Sequence, residues 1–213
     1  MTLGDTLGLS DPQERLLARV LQLALLGLLL YGLVTFQLGM AVNGGLALGV
    51  TLLPAVLRRE YGYSMDAGLV LWITLAIFLN SVGILSLYGR FSWYDEVTHT
   101  ISTTIIAGIG YAVLRAFECH SDEIDVPSAF RAVFIIVFVL AFGVIWEVFE
   151  FASTQLSRVL GAQSPVIVYG IDDIVTDMIF NTVGAAIVAI WGTDYFDGFV
   201  TFFRQQLRSK SQN

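Results

Sequence analysis

The sequence is poor in charge. Only 14% of its 213 residues are Asp, Glu, Lys or Arg, against about a quarter in an ordinary soluble domain, so the chain lacks the polar surface to coat a water-soluble fold. Basic residues are scarcer still. Eleven Lys and Arg stand against 18 Asp and Glu for a net charge of −7, which repels nucleic acid and leaves no basic stripe to override the repulsion. One cysteine, Cys119, excludes an internal disulfide framework. Two histidines exclude a His-rich metal cluster. What fills the chain instead is apolar: 56% hydrophobic residues and a mean hydropathy of +0.74. That composition belongs to a polytopic membrane protein.

A helix needs about 20 mostly apolar residues to cross a bilayer. Six stretches qualify, at about 16–38, 40–57, 67–88, 96–117, 129–151 and 171–191. They predict an all-α bundle of six transmembrane helices forming a single integral membrane domain over 1–213. The first starts at the helix signal Ser10-Asp11-Pro12 and is too long and too acidic at its front for a signal peptide. The second is short and carries Asn43, Gly44, Gly45 and Pro54, so crossing and re-entrant readings both stand. With six crossings, Arg15, Arg19, Arg58, Arg59, Arg115, Arg131, Arg204, Arg208 and Lys210 share one side, and only Arg90 and Arg158 take the other. Positive charge is retained in the cytoplasm, so both termini are expected there. The tail 192–213 places Tyr195, Phe196, Phe199, Val200, Phe203 and Leu207 on one helical face, which suits an amphipathic cytoplasmic helix at the interface or a packed seventh helix. Cys119-His120 in the acidic loop Glu118 to Asp125 is too little for a tetrahedral metal site.

Ionisable residues inside a span are costly and mark function by default. Three groups stand out. Asp95 and His99 lie four apart on one helix face, with Ser102 one turn deeper; Glu147 and Glu150 lie side by side at i, i+3; and Asp173, Asp177, Asn181 and Gly184 share one side of the last span. Asp172 points elsewhere. Asp95, Glu96, Asp172 and Asp173 have an alternative as solvent-facing helix-start residues favoured by the helix dipole. Asn80 and Ser81 read as interhelical hydrogen-bond partners, and Gly45, Gly49, Gly108, Gly110 and Gly184 as points of close helix approach.

The topology puts all three groups at the outer ends of their spans, where they converge. So many carboxylates do not sit together ionised unless a cation or protons compensate them. An oxygen-rich set with one histidine suits a divalent ion, Mg, Mn or Ca, with Zn also compatible. The expected metal ligands are Asp95, His99, Glu147, Glu150, Asp173 and Asp177, with Glu147 and Asp177 as catalytic groups and Asn181 in support. Arg90 and Arg158, on the same side, are expected to offset part of the charge.

Asp95-x-x-x-His99, Trp146-Glu147-x-x-Glu150 and Asp173-x-x-x-Asp177-Met178 with Asn181 and Gly184, in that order over residues 66–191, resemble the YjdF-like family of inner-membrane proteins and, more distantly, the VanZ-like group. The resemblance implies a multi-pass protein of a bacterial or archaeal plasma membrane, and it assigns no reaction. Two functions fit the residues. One is a metal-assisted enzyme acting on lipid or lipid-linked headgroups; the other is a small ion- or proton-coupled transporter using the same carboxylates. Membrane lipids are the expected partners, a homo-oligomer is compatible with the small size, and nucleic acid is excluded.

Overall fold

The computed structural model describes residues 8–121, 123–166 and 170–211. Asp122 of the acidic loop and the last two residues of the expected tail lie outside the described residues. The described chain is helical with no strand, and six of its helices are long and apolar enough to cross a membrane.

Helix α1, Asp11–Val34, begins where Ser10 predicts it. The Ser10 amide and hydroxyl both donate to Gln13 Oε1, at 2.8 and 2.9 Å, the Gln13 half of a capping box. It ends four residues earlier than the sequence suggests. Thr35 donates its hydroxyl to the Tyr31 carbonyl at 2.7 Å and Phe36 takes a left-handed φ of 56°, so a tight turn forms without glycine. Helix α2, Leu38–Tyr61, has 24 residues despite Pro54, about 36 Å at 1.5 Å per residue. That length crosses a bilayer, which removes the re-entrant alternative; left-handed Gly62 ends it.

Helix α3, Ala67–Val82, is capped by Asp66, whose carboxylate accepts from the Gly68 and Leu69 amides. It runs into a π turn at Gly83–Leu87 and a final three-residue turn, Tyr88–Arg90. Helices α4 (Ser92–Glu118), α5 (Ser128–Leu160) and α6 (Ile171–Ile187) follow. A second π turn, Val188–Gly192, and a 3-10 turn, Thr193–Phe196, lead to α7, Asp197–Ser211.

The helices form two groups. α1 packs on α2 and α3, while α4 sits among α3, α5, α6 and α7. Half of α4's most apolar stretch is buried, against 17% for α1 and 22% for α5, so α4 is the axis of the bundle and α1 and α5 are faces left for lipid. The core joins Leu69 of α3 to Ala107 and Tyr111 of α4, Ile135 and Val139 of α5, Ala185 of α6 and Phe199 of α7. The tail is therefore a packed helix: Phe199, Val200 and Phe202 are buried, and Phe202 stacks 4.7 Å from Tyr63.

Apolar contact between helices gains little over contact with lipid, so close approach must come from small residues. Gly184 is one such point, since a Cβ there would collide with the Thr103 hydroxyl and lie 2.6 Å from the Thr100 carbonyl. Gly108 and Gly110 serve the same purpose against Phe196 and Phe138. Gly45 and Gly49 do not: the first has only an ordinary 3.6 Å neighbour and the second faces open space. Gly44, one residue before Gly45, does the work on α2, its Cβ position lying 2.8 Å from the Leu29 amide nitrogen.

Candidate metal centre

The first turns of α4 and α6 meet because Gly184 brings these helices together further along. Asp95 and His99, one turn apart on α4, then face Asp177 and Asn181, one turn apart on α6. His99 Nε2 lies 3.5 Å from Asp95 Oδ1 and 3.5 Å from Asp177 Oδ1. One donor atom from each of the three residues lies within 4.8 Å of the others. Among the described residues this is the one group of three or more His, Cys or acidic side chains so arranged, and Cys119-His120 is not part of it.

The other imidazole nitrogen, Nδ1, lies 3.1 Å from Asn181 Oδ1. An amide oxygen only accepts, so Nδ1 carries the proton and Nε2 presents a lone pair to the two carboxylates. Asn181 is held for this task. It is only 2% exposed, and Gly143 of α5 makes room beside it, since a Cβ there would come 2.8 Å from Asn181 Nδ2 and 2.7 Å from Met178 Cε. A protonated Nδ1 on a fixed carbonyl oxygen is the arrangement that orients a metal-bound histidine.

The two 3.5 Å separations are too long for hydrogen bonds, which run about 2.7–3.2 Å. They match two ligands on one ion, which sit roughly 3.4 Å apart when each bond is about 2.1 Å and the angle tetrahedral. The donor set therefore fits a divalent cation.

Two further predicted residues line the same small cavity. Asp173 and Glu150 border it with Asp95, His99 and Asp177. Its volume of about 10 Å³ is close to the least that holds one water or ion. Glu147 lies just behind, near enough to Asp173 and Asp95 to interact with both, but it is not a lining residue. It is 8% exposed and neither carboxylate oxygen has a hydrogen-bond partner. Ser102 is half-buried and does not line the cavity, and Asp172 is exposed, as its helical phase predicts.

The arginines do not take the part expected of them. Arg90 packs over the Phe91 ring at 5.6 Å and Arg158 donates to Gln155; neither forms an ion pair with the cluster. Three lining residues come instead from α3 and its extension: Asn80, Ile84 and Tyr88. In sequence Asn80, set in an apolar span, reads as a helix contact, and Tyr88 carries no signal beyond following Gly83 in an otherwise apolar segment.

The model of the family described as a predicted membrane protein (DUF2238) matches residues 16–198. No curated protein and no solved structure matches the chain. The matched region contains Asp95, His99, Glu147, Glu150, Asp173, Asp177 and Asn181 together with nearly all of the six helices long enough to span a bilayer, and the chain belongs to this membrane protein family, DUF2238.

Proposed function

We propose that this protein is a metal-assisted membrane enzyme acting on lipid or lipid-linked headgroups, with His99, Asp95 and Asp177 as ligands of one divalent ion. The observation that carries the reading is the pair of 3.5 Å separations at His99 Nε2, with Nδ1 held by Asn181. Two carboxylates and one imidazole leave open positions on the ion, where it polarises a phosphoryl or carbonyl oxygen or activates water. Glu150, which lines the cavity, is the general base with Asp173 beside it, and Glu147 is buried behind them with both oxygens unpaired. The distribution of Arg and Lys supports a cytoplasmic location for both termini and an outer depth for the site, level with headgroups. By its motifs the chain is nearer the YjdF-like than the VanZ-like proteins, which supports a bacterial or archaeal plasma membrane as its location.

One observation favours the second reading, an ion- or proton-coupled carrier. The cavity of about 10 Å³ holds an ion but no headgroup, so an enzyme must take its substrate at the open edge.

Elemental analysis of detergent-purified protein tests the centre. Wild type retains near-stoichiometric divalent metal, and His99→Ala and Asp177→Asn lose it. Metal-loaded wild type then hydrolyses a lipid phosphate or ester while Glu150→Gln keeps its metal and does not. Metal moved across a liposome membrane with no hydrolysis selects the carrier, and wild type free of metal after add-back overturns the centre.

A further inference from the structure

The end of α4 away from the candidate metal centre borders a second space. α7 packs closely on α4 where Phe196 covers Gly108, and further along the two helices leave a groove of about 200 Å³ between them. It is lined by Val113, Ala116 and Phe117 of α4 and by Phe203, Gln206 and Leu207 of α7. On each helix the three positions lie one turn apart or side by side, so each wall is one helix face. Gln206 is the only polar residue among the six. The groove occupies the last turns of α4, which ends at Glu118, and so lies near one edge of the hydrocarbon core.

Size and lining limit what fills it. Water does not fill an apolar cleft. A further helix, about 10 Å across with its side chains, is too wide for it. A single hydrocarbon chain satisfies both limits.

The charge beside the groove has one sign. Arg115 stands between Val113 and Ala116, Arg204 and Arg208 flank Gln206 and Leu207, and residues 198–213 contain no acidic residue. Glu118 answers Arg115 and Arg131 together, through bonds of 3.1 and 3.2 Å, so two positive charges there meet one negative. Arg204 is answered by none. Among the described residues it forms no ion pair, and its buried Nε has no hydrogen-bond partner. It follows Phe203 by one residue, about 100° round the helix, so it borders the groove without lining it.

A phosphate supplies what this guanidinium lacks, because its oxygens accept the planar N–H donors in pairs. The excess of Arg and Lys at this end supports a cytoplasmic location, and the cytoplasmic leaflet is the one that carries anionic lipid. We infer that the groove between α4 and α7 seats an acyl chain of an anionic phospholipid whose phosphate is held by Arg204. This site stands apart from the metal centre and does not depend on it.

The test titrates full-length protein, delipidated in detergent, with phosphatidylglycerol and with phosphatidylcholine, and counts bound lipid by native mass spectrometry. Wild type binds one phosphatidylglycerol about tenfold more tightly than phosphatidylcholine, as expected for a hydrogen bond between charged groups. Arg204→Gln binds both lipids with the affinity for phosphatidylcholine. Leu207→Trp and Val113→Trp, which fill the groove, bind neither; a thermal melt in the same detergent shows that the variant read is folded. Arg59→Ala removes an exposed charge paired with Glu60 at the same end of the bundle and keeps the full preference. Equal affinity of wild type for the two lipids overturns the inference. So does a loss in Arg59→Ala equal to that in Arg204→Gln, since general surface charge would then account for the preference. Unchanged lipid binding in a folded tryptophan variant also overturns it, as does a wild-type dimer that the tryptophan variant separates, which would make the groove an interface between copies.

Discussion

Glu118, at one end of α4, and Glu147, on α5 near α4's other end, are equally buried, each 8% exposed. Their surroundings are opposite. Glu118 Oε1 accepts from the Val126 amide at 3.1 Å and from Arg131 Nη2 at 3.2 Å, while Oε2 accepts from Arg115 Nη1 at 3.1 Å. Arg131 also donates to the Val126 carbonyl, so one carboxylate ties the α4–α5 loop to both helices it joins. Glu147 has no such partner for either oxygen, and nearby Asp95 and Asp177 share a single imidazole. A buried carboxylate with a full set of donors needs nothing else to explain it. One with none needs a proton or a cation to compensate it, and the proposed centre makes the Glu147 end the place to look for a cation.

The sharpest way to break this comparison is to make the same change at both ends. Glu118→Gln leaves Arg115 and Arg131 without their shared counter-charge, and breaking a buried pair costs about 3–5 kcal/mol; with Arg115 partly exposed, about 3 kcal/mol is expected, read as a lower thermal midpoint in detergent. Gly184→Ala comes next. Its methyl group must push α6 from Thr100 and Thr103, at about 1–3 kcal/mol for overpacking, and metal content should fall with stability because Asp177 moves with α6. Glu147→Gln in metal-free protein has the opposite sign. Removing one carboxyl from a cluster whose members repel one another when no cation is bound should raise the midpoint, by about 1 kcal/mol in free-energy terms, and a drop matching that of Glu118→Gln would end the distinction between the two acids. The smallest effect belongs to Arg59→Ala, whose 3.3 Å pair with Glu60 is solvent-exposed; chemical denaturation should show a change within about 0.5 kcal/mol.

The spans were legible because hydrophobic length is a strong signal, and the polar cluster was legible for the same reason inverted: Asp177 and His99 interrupt apolar runs where charge is expensive. Helical phase alone joined Asp95 to His99 and Asp177 to Asn181. The boundaries were less legible. The α1–α2 turn has neither glycine nor proline, and Phe36 in a left-handed conformation leaves no mark in composition. Sequence favours Glu147 over Glu150 as the catalytic group of the i, i+3 pair, yet only Glu150 reaches the cavity. The α3 lining was hidden most completely: the helical repeat puts Asn80, Ile84 and Tyr88 on one side, but nothing in an apolar span says that this side meets the cluster.

That last point makes the site sensitive to counting as well as chemistry. The π turn at Gly83–Leu87 amounts to one residue more than a regular helix would use. Inserting one more residue into the regular part of α3 would keep its hydropathy, its start at Asp66 and every cluster residue on α4 and α6, yet swing the segment beyond it by roughly 100°. The register of one helix, rather than the identity of any side chain in it, decides whether Asn80, Ile84 and Tyr88 line the cavity together.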